Sequence, residues 1–94
     1  MTTEVVLTGT GVPHPRPGQA GPGTLVRCGE VALQFDAGRA TVLRLMEAGT
    51  PPHALTALFL THLHSDHVVD VADLAMTGWI QQQLVRTGPL VVVA

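Results

Sequence analysis

Ala57-Leu58-Phe59-Leu60-Thr61-His62-Leu63-His64-Ser65-Asp66-His67 joins a short apolar run to a cluster of three histidines and one aspartate. The apolar run, residues 57–60, has the composition and length of a buried strand and leads straight into the cluster. Residues 69–85 then predict a helix, whose positive end would be favoured by Asp70 and Asp73. A strand that ends in a polar loop before a helix is typical of α/β folds, which bind ligands at such strand ends.

The remaining sequence continues this alternation of strands and helices. Short β-prone runs predict strands at residues 5–7, 24–28 and 31–35, the last two joined by a two-residue turn at Gly29-Glu30. Closely spaced prolines and glycines predict a loop over residues 12–23. Helical spacing of apolar residues predicts a helix over 39–48, and residues 90–94 predict another strand. The order β, loop, ββ, α, β, α, β therefore indicates an α/β or mixed layered fold.

The histidine cluster has the spacing of a metal site. His62 and His64 are two residues apart, so in extended backbone both side chains project to the same side, where two imidazoles suit one zinc ion. Asp66 and His67 follow at the turn into the next helix and suit a second ion. Two ions roughly 3.5–4 Å apart can hold a water, lower its pKa and clamp an oxygen-rich substrate. The alternative is a histidine-rich loop with no ligand, which is disfavoured because unpaired buried histidines are costly.

Three segments carry a resemblance to a known family. Thr61 to His67 resembles the signature of the metallo-β-lactamase fold hydrolases. Leu7-Thr8-Gly9-Thr10-Gly11, followed by Pro13, resembles the branch that contains ribonuclease Z and its arylsulfatase-like and phosphodiesterase relatives. Phe35-Asp36-Ala37-Gly38 resembles the Asp-x-Gly segment of that family. The resemblance implies the N-terminal half of an αββα metallo-β-lactamase sandwich, with a mixed sheet and flanking helices.

The resemblance also implies a role for each residue of the site. His62 and His64 would bind the first metal ion, and Asp66 and His67 the second. Asp66 would also act catalytically, as a proton acceptor. Asp36 would support the metal-binding loop from behind rather than bind metal. The implied cofactor is a pair of zinc ions, with manganese as an alternative.

The sequence departs from the family after this motif. Family members supply further histidine and aspartate ligands downstream, whereas here no histidine follows His67 and no aspartate follows Asp73. A glycine common in the family shortly after the signature is replaced by Asp70. We therefore expect residues 1–94 to form a partial domain, truncated after the first metal-binding motif, with negligible hydrolase activity when isolated.

Composition indicates which partners the chain would take. The sequence is 46% hydrophobic and only 13% charged, against roughly 25% charged in ordinary soluble domains. This predicts apolar surface that needs cover, by self-association or by a complementary half. The net charge is −2 and the five arginines are scattered, so nucleic acid is not supported and a small-molecule ester or phosphodiester is favoured. A single cysteine, no signal peptide and no apolar run of membrane-spanning length predict a soluble cytoplasmic protein without membrane contact.

Five further residues are weaker candidates for the site. Arg16 is a candidate substrate contact because an anionic ester favours a guanidinium. His14 could also reach substrate, but a solvent-exposed loop histidine is the favoured interpretation. Asp70 could be a third carboxylate of the site, but a helix N-terminal residue is the favoured interpretation. His53 is expected at the surface of a connecting loop, and Trp79 is expected in the core.

Three functional hypotheses follow. The first is a binuclear-metal hydrolase of the ribonuclease Z-like branch, in which a metal-activated water attacks a phosphodiester or related ester. The second is a non-catalytic truncated fragment, or a half-domain that needs a partner chain. The third is a zinc-binding module without turnover.

Overall fold

The computed structural model describes residues 1–85 and 88–94. Its strands are Thr3–Gly9 (β1), Gly23–Cys28 (β2), Val31–Phe35 (β3), Ala57–Phe59 (β4) and Val92–Val93 (β5). Its α-helices are Thr41–Glu47 (α1), Ser65–Val68 (α2) and Val71–Gln82 (α3), and Pro52–Ala54 form a 3₁₀ helix. The predicted α/β class, a mixed sheet with flanking helices, is confirmed.

The five strands form one sheet in the order in which they follow one another along the chain. β1, β2 and β3 pair antiparallel, whereas β3, β4 and β5 pair parallel. Gly29, with its positive φ of 58°, makes the tight turn between β2 and β3, whereas residues 10–22 form the longer connection from β1 to β2. The parallel neighbours need helical connections, and these supply α1, α2 and α3.

One face of the sheet packs against the helices and forms the core. The pairing places five residues in one row across this face: Val6, Leu25, Gln34, Leu58 and Val92. The leucines in this row are fully buried and join a cluster that includes Leu45 of α1 and Leu74 of α3. Alternation of inward and outward residues along each strand therefore determines which residues meet the helices.

The opposite face of the sheet is apolar and partly open. A row across it consists of Leu7, Thr24, Phe35, Phe59 and Val93. The Phe35 and Phe59 rings stack with their centroids 5.1 Å apart. Leu7 and Val5, both on this face, are 65% and 64% exposed. An apolar open face is what one layer of a two-sheet sandwich presents.

The helical region after β4 differs from the single predicted helix over residues 69–85. The chain forms the short α2 first, and α3 starts at Val71 and ends at Gln82. A continuous helix is prevented because His67 O accepts from Ala37 N (2.8 Å) and Asp70 N donates to Ala37 O (3.0 Å). These two backbone groups would otherwise take part in helical bonds. The last strand is also shorter than the predicted 90–94, and the 3₁₀ helix was not predicted.

The placement of Trp79 in the core is wrong. α3 buries only Leu74 and Gly78, and it contacts the 3₁₀ helix through this narrow stripe. The Trp79 side chain is 59% exposed. α3 carries apolar residues on several of its faces, but only the face with Leu74 and Gly78 packs against the core. Among residues 1–85 and 88–94, no helix has the length and apolar character that crossing a membrane requires.

Candidate metal centre

The histidine cluster lies at the carboxyl ends of the parallel strands β3 and β4. β4 ends at Phe59, residues 60–64 form an extended connection, and α2 begins at Ser65. His64 precedes α2 in extended conformation, and its carbonyl accepts a hydrogen bond from His67 N at 2.9 Å. This turn brings residues from both sides of it to one edge of the sheet.

The structure brings the three histidine rings together. The His62 ring centroid lies 4.7 Å from that of His64 and 4.1 Å from that of His67. Asp66 joins the group, with its Oδ2 atom 3.6 Å from His67 Nε2. The four residues named as ligands from the sequence therefore form one cluster, although their binding of metal stays a prediction.

Asp36 lies directly behind this cluster, where β3 ends. Its Oδ1 accepts hydrogen bonds from Thr61 N (2.8 Å) and Thr61 Oγ1 (2.9 Å). Its Oδ2 lies 2.9 Å from His67 Nδ1. A carboxylate can only accept, so the His67 ring donates from Nδ1 and its Nε2 faces away from Asp36. This geometry suits the predicted supporting role, in which Asp36 orients a ligand without binding metal.

The same contacts determine the protonation of Asp36. Burial alone would raise the pKa of this carboxyl, but the hydrogen bonds from the Thr61 backbone N–H and from His67 outweigh it. The pKa of Asp36 therefore lies below its ordinary value, and the side chain is a carboxylate at neutral pH. Its backbone has a φ of 64°, in the left-handed region that few residues other than glycine adopt.

Thr61 is a member of the site that the sequence interpretation did not assign. Its hydroxyl lies 3.0 Å from His62 Nδ1 as well as within hydrogen-bonding distance of Asp36. Since the hydroxyl donates its one proton to the carboxylate, it accepts from His62 Nδ1 and leaves His62 Nε2 free. A hydroxyl residue directly before the first histidine is the signal that could have indicated this role.

Backbone contacts fix the loop between β3 and α1 against its neighbours. Ala37 makes reciprocal bonds to His67 and Asp70, as described above. On the other side, Gly38 N donates to Pro22 O at 3.0 Å and Gly21 N donates to Arg39 O at 2.8 Å. The approach is so close that a Cβ on Gly38 would lie 2.4 Å from the Gly21 carbonyl carbon. This contact explains the glycine of the Asp36-Ala37-Gly38 segment.

Asp70 stabilises a different helix from the one predicted. It precedes α3 but makes no side-chain cap there. Instead, its Oδ2 accepts from Val42 N at 2.8 Å, in the first turn of α1. The residue before α1 is Ala40, which cannot cap a helix, so Asp70 supplies the missing acceptor. Burial raises the pKa of Asp70, and the hydrogen bond from Val42 offsets this only in part.

The lesser candidates lie outside the cluster. Arg16 and His14 are exposed in the loop between β1 and β2, and neither appears among the described contacts of the cluster. His53 lies in the 3₁₀ helix, where its Nδ1 is 3.0 Å from Gln81 Oε1. Substrate contact by Arg16 therefore stays a prediction.

The donor set fits a divalent metal ion in its chemistry. Imidazole and carboxylate are ligands that zinc accepts, and two ligands of a tetrahedral zinc ion lie about 3.3–3.6 Å apart. The 3.6 Å between Asp66 Oδ2 and His67 Nε2 matches this separation. Within residues 1–85 and 88–94, however, no three such side chains converge closely enough to enclose an ion. The described chain thus holds the donors without a closed coordination shell.

Residues 3–87 match the family model of the "Metallo-beta-lactamase superfamily". The chain belongs to this superfamily. Its curated relatives include a ribonuclease Z of Mycobacterium sp. (strain KMS), 52% identical over 77 residues, which cover 82% of this chain and 27% of the relative. The ribonuclease Z of Mycobacterium bovis (strain BCG / Pasteur 1173P2) is 41% identical over 90 residues, which cover 96% and 32%. The chain thus spans about a third of these relatives.

Solved structures of the superfamily have the same fold. The metallo-beta-lactamase fold protein YhfI from Bacillus subtilis matches with a TM-score of 0.81 and 27% identity, over 89% of this chain and 34% of that one. The human short-form tRNase Z matches with a TM-score of 0.75 and 26% identity, over 97% and 43%. These likenesses confirm the resemblance to the ribonuclease Z branch.

Proposed function

We propose that this chain provides the first four metal ligands of a divalent-metal-dependent phosphodiesterase of the ribonuclease Z type. The observation that carries the proposal is the network in which Asp36 holds His67 directly and His62 through Thr61. It engages Nδ1 of both rings and leaves Nε2 of each as the nitrogen that a metal ion would bind. Histidines held in this way are typical of metal ligands, whose other ring nitrogen is fixed by a carboxylate.

Each residue has a separate task in the proposed site. His62 and His64 would hold one ion, and Asp66 and His67 the other, with zinc preferred over manganese because imidazole nitrogen dominates the set. A bound divalent ion supplies a Lewis acid and lowers the pKa of water. Asp66, whose side chain is only 19% exposed, is placed to accept a proton at Oδ2. Asp36 orients the His67 ring directly and the His62 ring through Thr61.

The proposed substrate is a phosphodiester of RNA. The curated relatives described above are named ribonuclease Z. Their names outweigh the argument from net charge, because the charge is counted over a chain that spans only about a third of their length. A small-molecule ester is the second candidate. Two of the arginines already bond within the chain, Arg27 to Glu4 and Arg44 to Glu47, which leaves little positive charge for a polyanion. A cytoplasmic location stays a prediction.

Metal titration of histidine variants tests the proposal. Isothermal titration of the chain with zinc, and separately with manganese, should detect binding that His64→Ala weakens by about tenfold or more. His14→Ala is the matched control, because this histidine lies outside the cluster and its loss should leave the affinity unchanged. Equal affinity for zinc in His64→Ala and the parent chain would contradict the ligand assignment, and so would an equal loss in both variants.

A hydrolysis assay separates the two substrate classes. The chain is incubated with zinc or manganese and either a short RNA or a bis-aryl phosphodiester. We expect little turnover by the chain alone, since catalytic zinc usually has three protein ligands and the described residues provide two for each proposed ion. Any turnover should favour the RNA. Preferential cleavage of the bis-aryl ester would support the small-molecule alternative.

A further inference from the structure

Gln34 is a polar residue in the middle of the core. It lies on β3 in the helix-facing row, paired with Leu25 on one side and Leu58 on the other, and all three side chains are 0% exposed. The sequence pattern places an apolar residue at such a position, because burying an amide costs free energy unless it is hydrogen-bonded. A reason specific to the amide is therefore needed.

The amide of Gln34 bonds at one end only. Its Nε2 donates to Thr8 Oγ1 at 3.0 Å and to the backbone carbonyl of Asp36 at 2.9 Å. Because a backbone carbonyl only accepts, the nitrogen must be the atom that faces Asp36. Its Oε1 is buried without a partner. An apolar side chain of similar size would avoid this unsatisfied oxygen but would leave the Thr8 hydroxyl and the Asp36 carbonyl without this donor, so the amide serves these two acceptors.

The bond from Gln34 reaches the one strained residue of the candidate site. Asp36 has a φ of 64°. Its backbone N donates to Phe59 O at 2.7 Å, and its carbonyl accepts from Gln34. Hydrogen bonds to neighbouring residues therefore hold both the N–H and the carbonyl of Asp36 in place. An unfavourable backbone conformation persists only when surrounding contacts stabilise it in this way. The carboxylate that this conformation directs towards Thr61 and His67 depends on both contacts.

We propose that Gln34 is a positioning residue for the candidate metal centre. It holds the Asp36 carbonyl from inside the core, and through Asp36 it sets the orientation of Thr61 and His67. Thr8, at the end of β1, completes the arrangement by holding the other side of the Gln34 amide. The inference rests on the proposed function only in its effect on metal affinity, because the ordering of Asp36 does not need a metal.

The test replaces the amide with an apolar side chain of the same length. Gln34→Met removes the donor and keeps the volume. Leu25→Met, at the paired position in the same row, is the matched control, since it alters the core without touching Asp36. Three quantities are compared: resistance to urea, hydrogen–deuterium exchange resolved to the Thr61 amide, and zinc affinity by titration. The Thr61 amide is informative because it donates to the Asp36 carboxylate.

The two explanations of Gln34 give different results. A positioning role predicts that Gln34→Met exchanges the Thr61 amide about tenfold faster, and binds zinc about tenfold more weakly, than its change in resistance to urea accounts for when it is compared with Leu25→Met. A tenfold loss of affinity is at the lower end of what loss of a ligand-orienting contact causes. A purely structural role predicts that hydrogen–deuterium exchange of the Thr61 amide and zinc affinity change only as much as the lower resistance to urea explains. Unchanged Thr61 exchange in Gln34→Met would overturn the inference.

Two further outcomes have defined meanings. If the parent chain binds no zinc while Gln34→Met still exposes the Thr61 amide, the proposed function fails and the positioning of Asp36 by Gln34 stands. If Gln34→Met does not fold, Thr8→Val decides, since it removes only the second acceptor of the amide. Faster Thr61 exchange in Thr8→Val supports the inference, and unchanged exchange overturns it.

Discussion

Replacing Asp36 with alanine should be among the most damaging single substitutions in this chain. The carboxylate accepts hydrogen bonds from the Thr61 backbone N–H, the Thr61 hydroxyl and His67 Nδ1. Bonds to a charged group contribute about 1.5–3 kcal/mol each when buried. Thr61 is exposed to solvent, so we count two bonds at the lower value, about 3 kcal/mol together.

The backbone adds a further cost. At a φ of 64°, aspartate is tolerated better than alanine, and the left-handed conformation costs an ordinary residue about 1–2 kcal/mol. The expected loss for Asp36→Ala is therefore about 4 kcal/mol. This is a large share of the roughly 5–14 kcal/mol that a domain of this size has in total. Asp36→Asn keeps the backbone preference and one acceptor, so it should lose about half as much, near 2 kcal/mol.

Urea denaturation followed by circular dichroism measures these losses, at one fixed protein concentration because association adds to apparent stability. Asp73→Ala is the control. This aspartate is exposed in the first turn of α3 and bonds only to Thr77 among the described residues, so its loss should cost less than about 1 kcal/mol. If Asp36→Ala unfolds within about 1 kcal/mol of the parent chain, the carboxylate does not hold the metal loop. Zinc affinity, where the variant folds, should fall by about 10–100-fold.

Three other predictions address separate features. Burial raises the pKa of Asp70 above 3.8, so the folded state favours the protonated carboxyl. The stability that this protonation contributes is complete below pH 3.8 and is lost as the pH rises through the pKa of the folded state. The stability of Asp70→Asn relative to the parent should therefore rise with pH over that window in urea titrations, and a difference independent of pH would contradict this. Gly38→Ala should lower the free energy of unfolding by more than about 2 kcal/mol because the new Cβ meets the backbone of Gly21. Gly78→Ala should raise it by about 1 kcal/mol, because alanine favours the helix α3 and its Cβ would meet nothing nearer than 3.8 Å. Similar thermal midpoints for the two variants would refute the argument. The open apolar face with Val5 and Leu7 should cause self-association that light scattering after size-exclusion chromatography detects, and Leu7→Glu should reduce it; a monodisperse monomer of the parent chain would show this prediction to be wrong.

The site could be located from sequence because its four proposed donors lie within six residues. Local chemistry is sufficient to indicate that His62, His64, Asp66 and His67 lie together, since six residues around one turn cannot separate far. The strands β2 and β3 could also be predicted from the sequence, because a two-residue turn between β-prone runs determines their pairing. The five-strand order, in contrast, depends on contacts between distant segments.

The errors of the sequence interpretation have a common physical cause. The predicted helix over residues 69–85 begins instead at Val71 because Ala37, more than thirty positions earlier, takes the hydrogen bonds of His67 and Asp70. Trp79 lies outside the core because helical periodicity does not indicate which of several apolar faces meets the sheet. Both outcomes are decided by groups that are remote in sequence.

The sequence by itself determined the family, the α/β class and the residue types of the candidate metal centre, because these depend on local spacing and composition. Only the tertiary structure decided how those residues are supported. Asp36 meets His67 across 31 positions, Asp70 bonds to α1 across 28, and Gln34 meets Thr8 across 26. Such contacts form only when the sheet brings strand ends together, and the periodicity of apolar residues along the chain does not predict them.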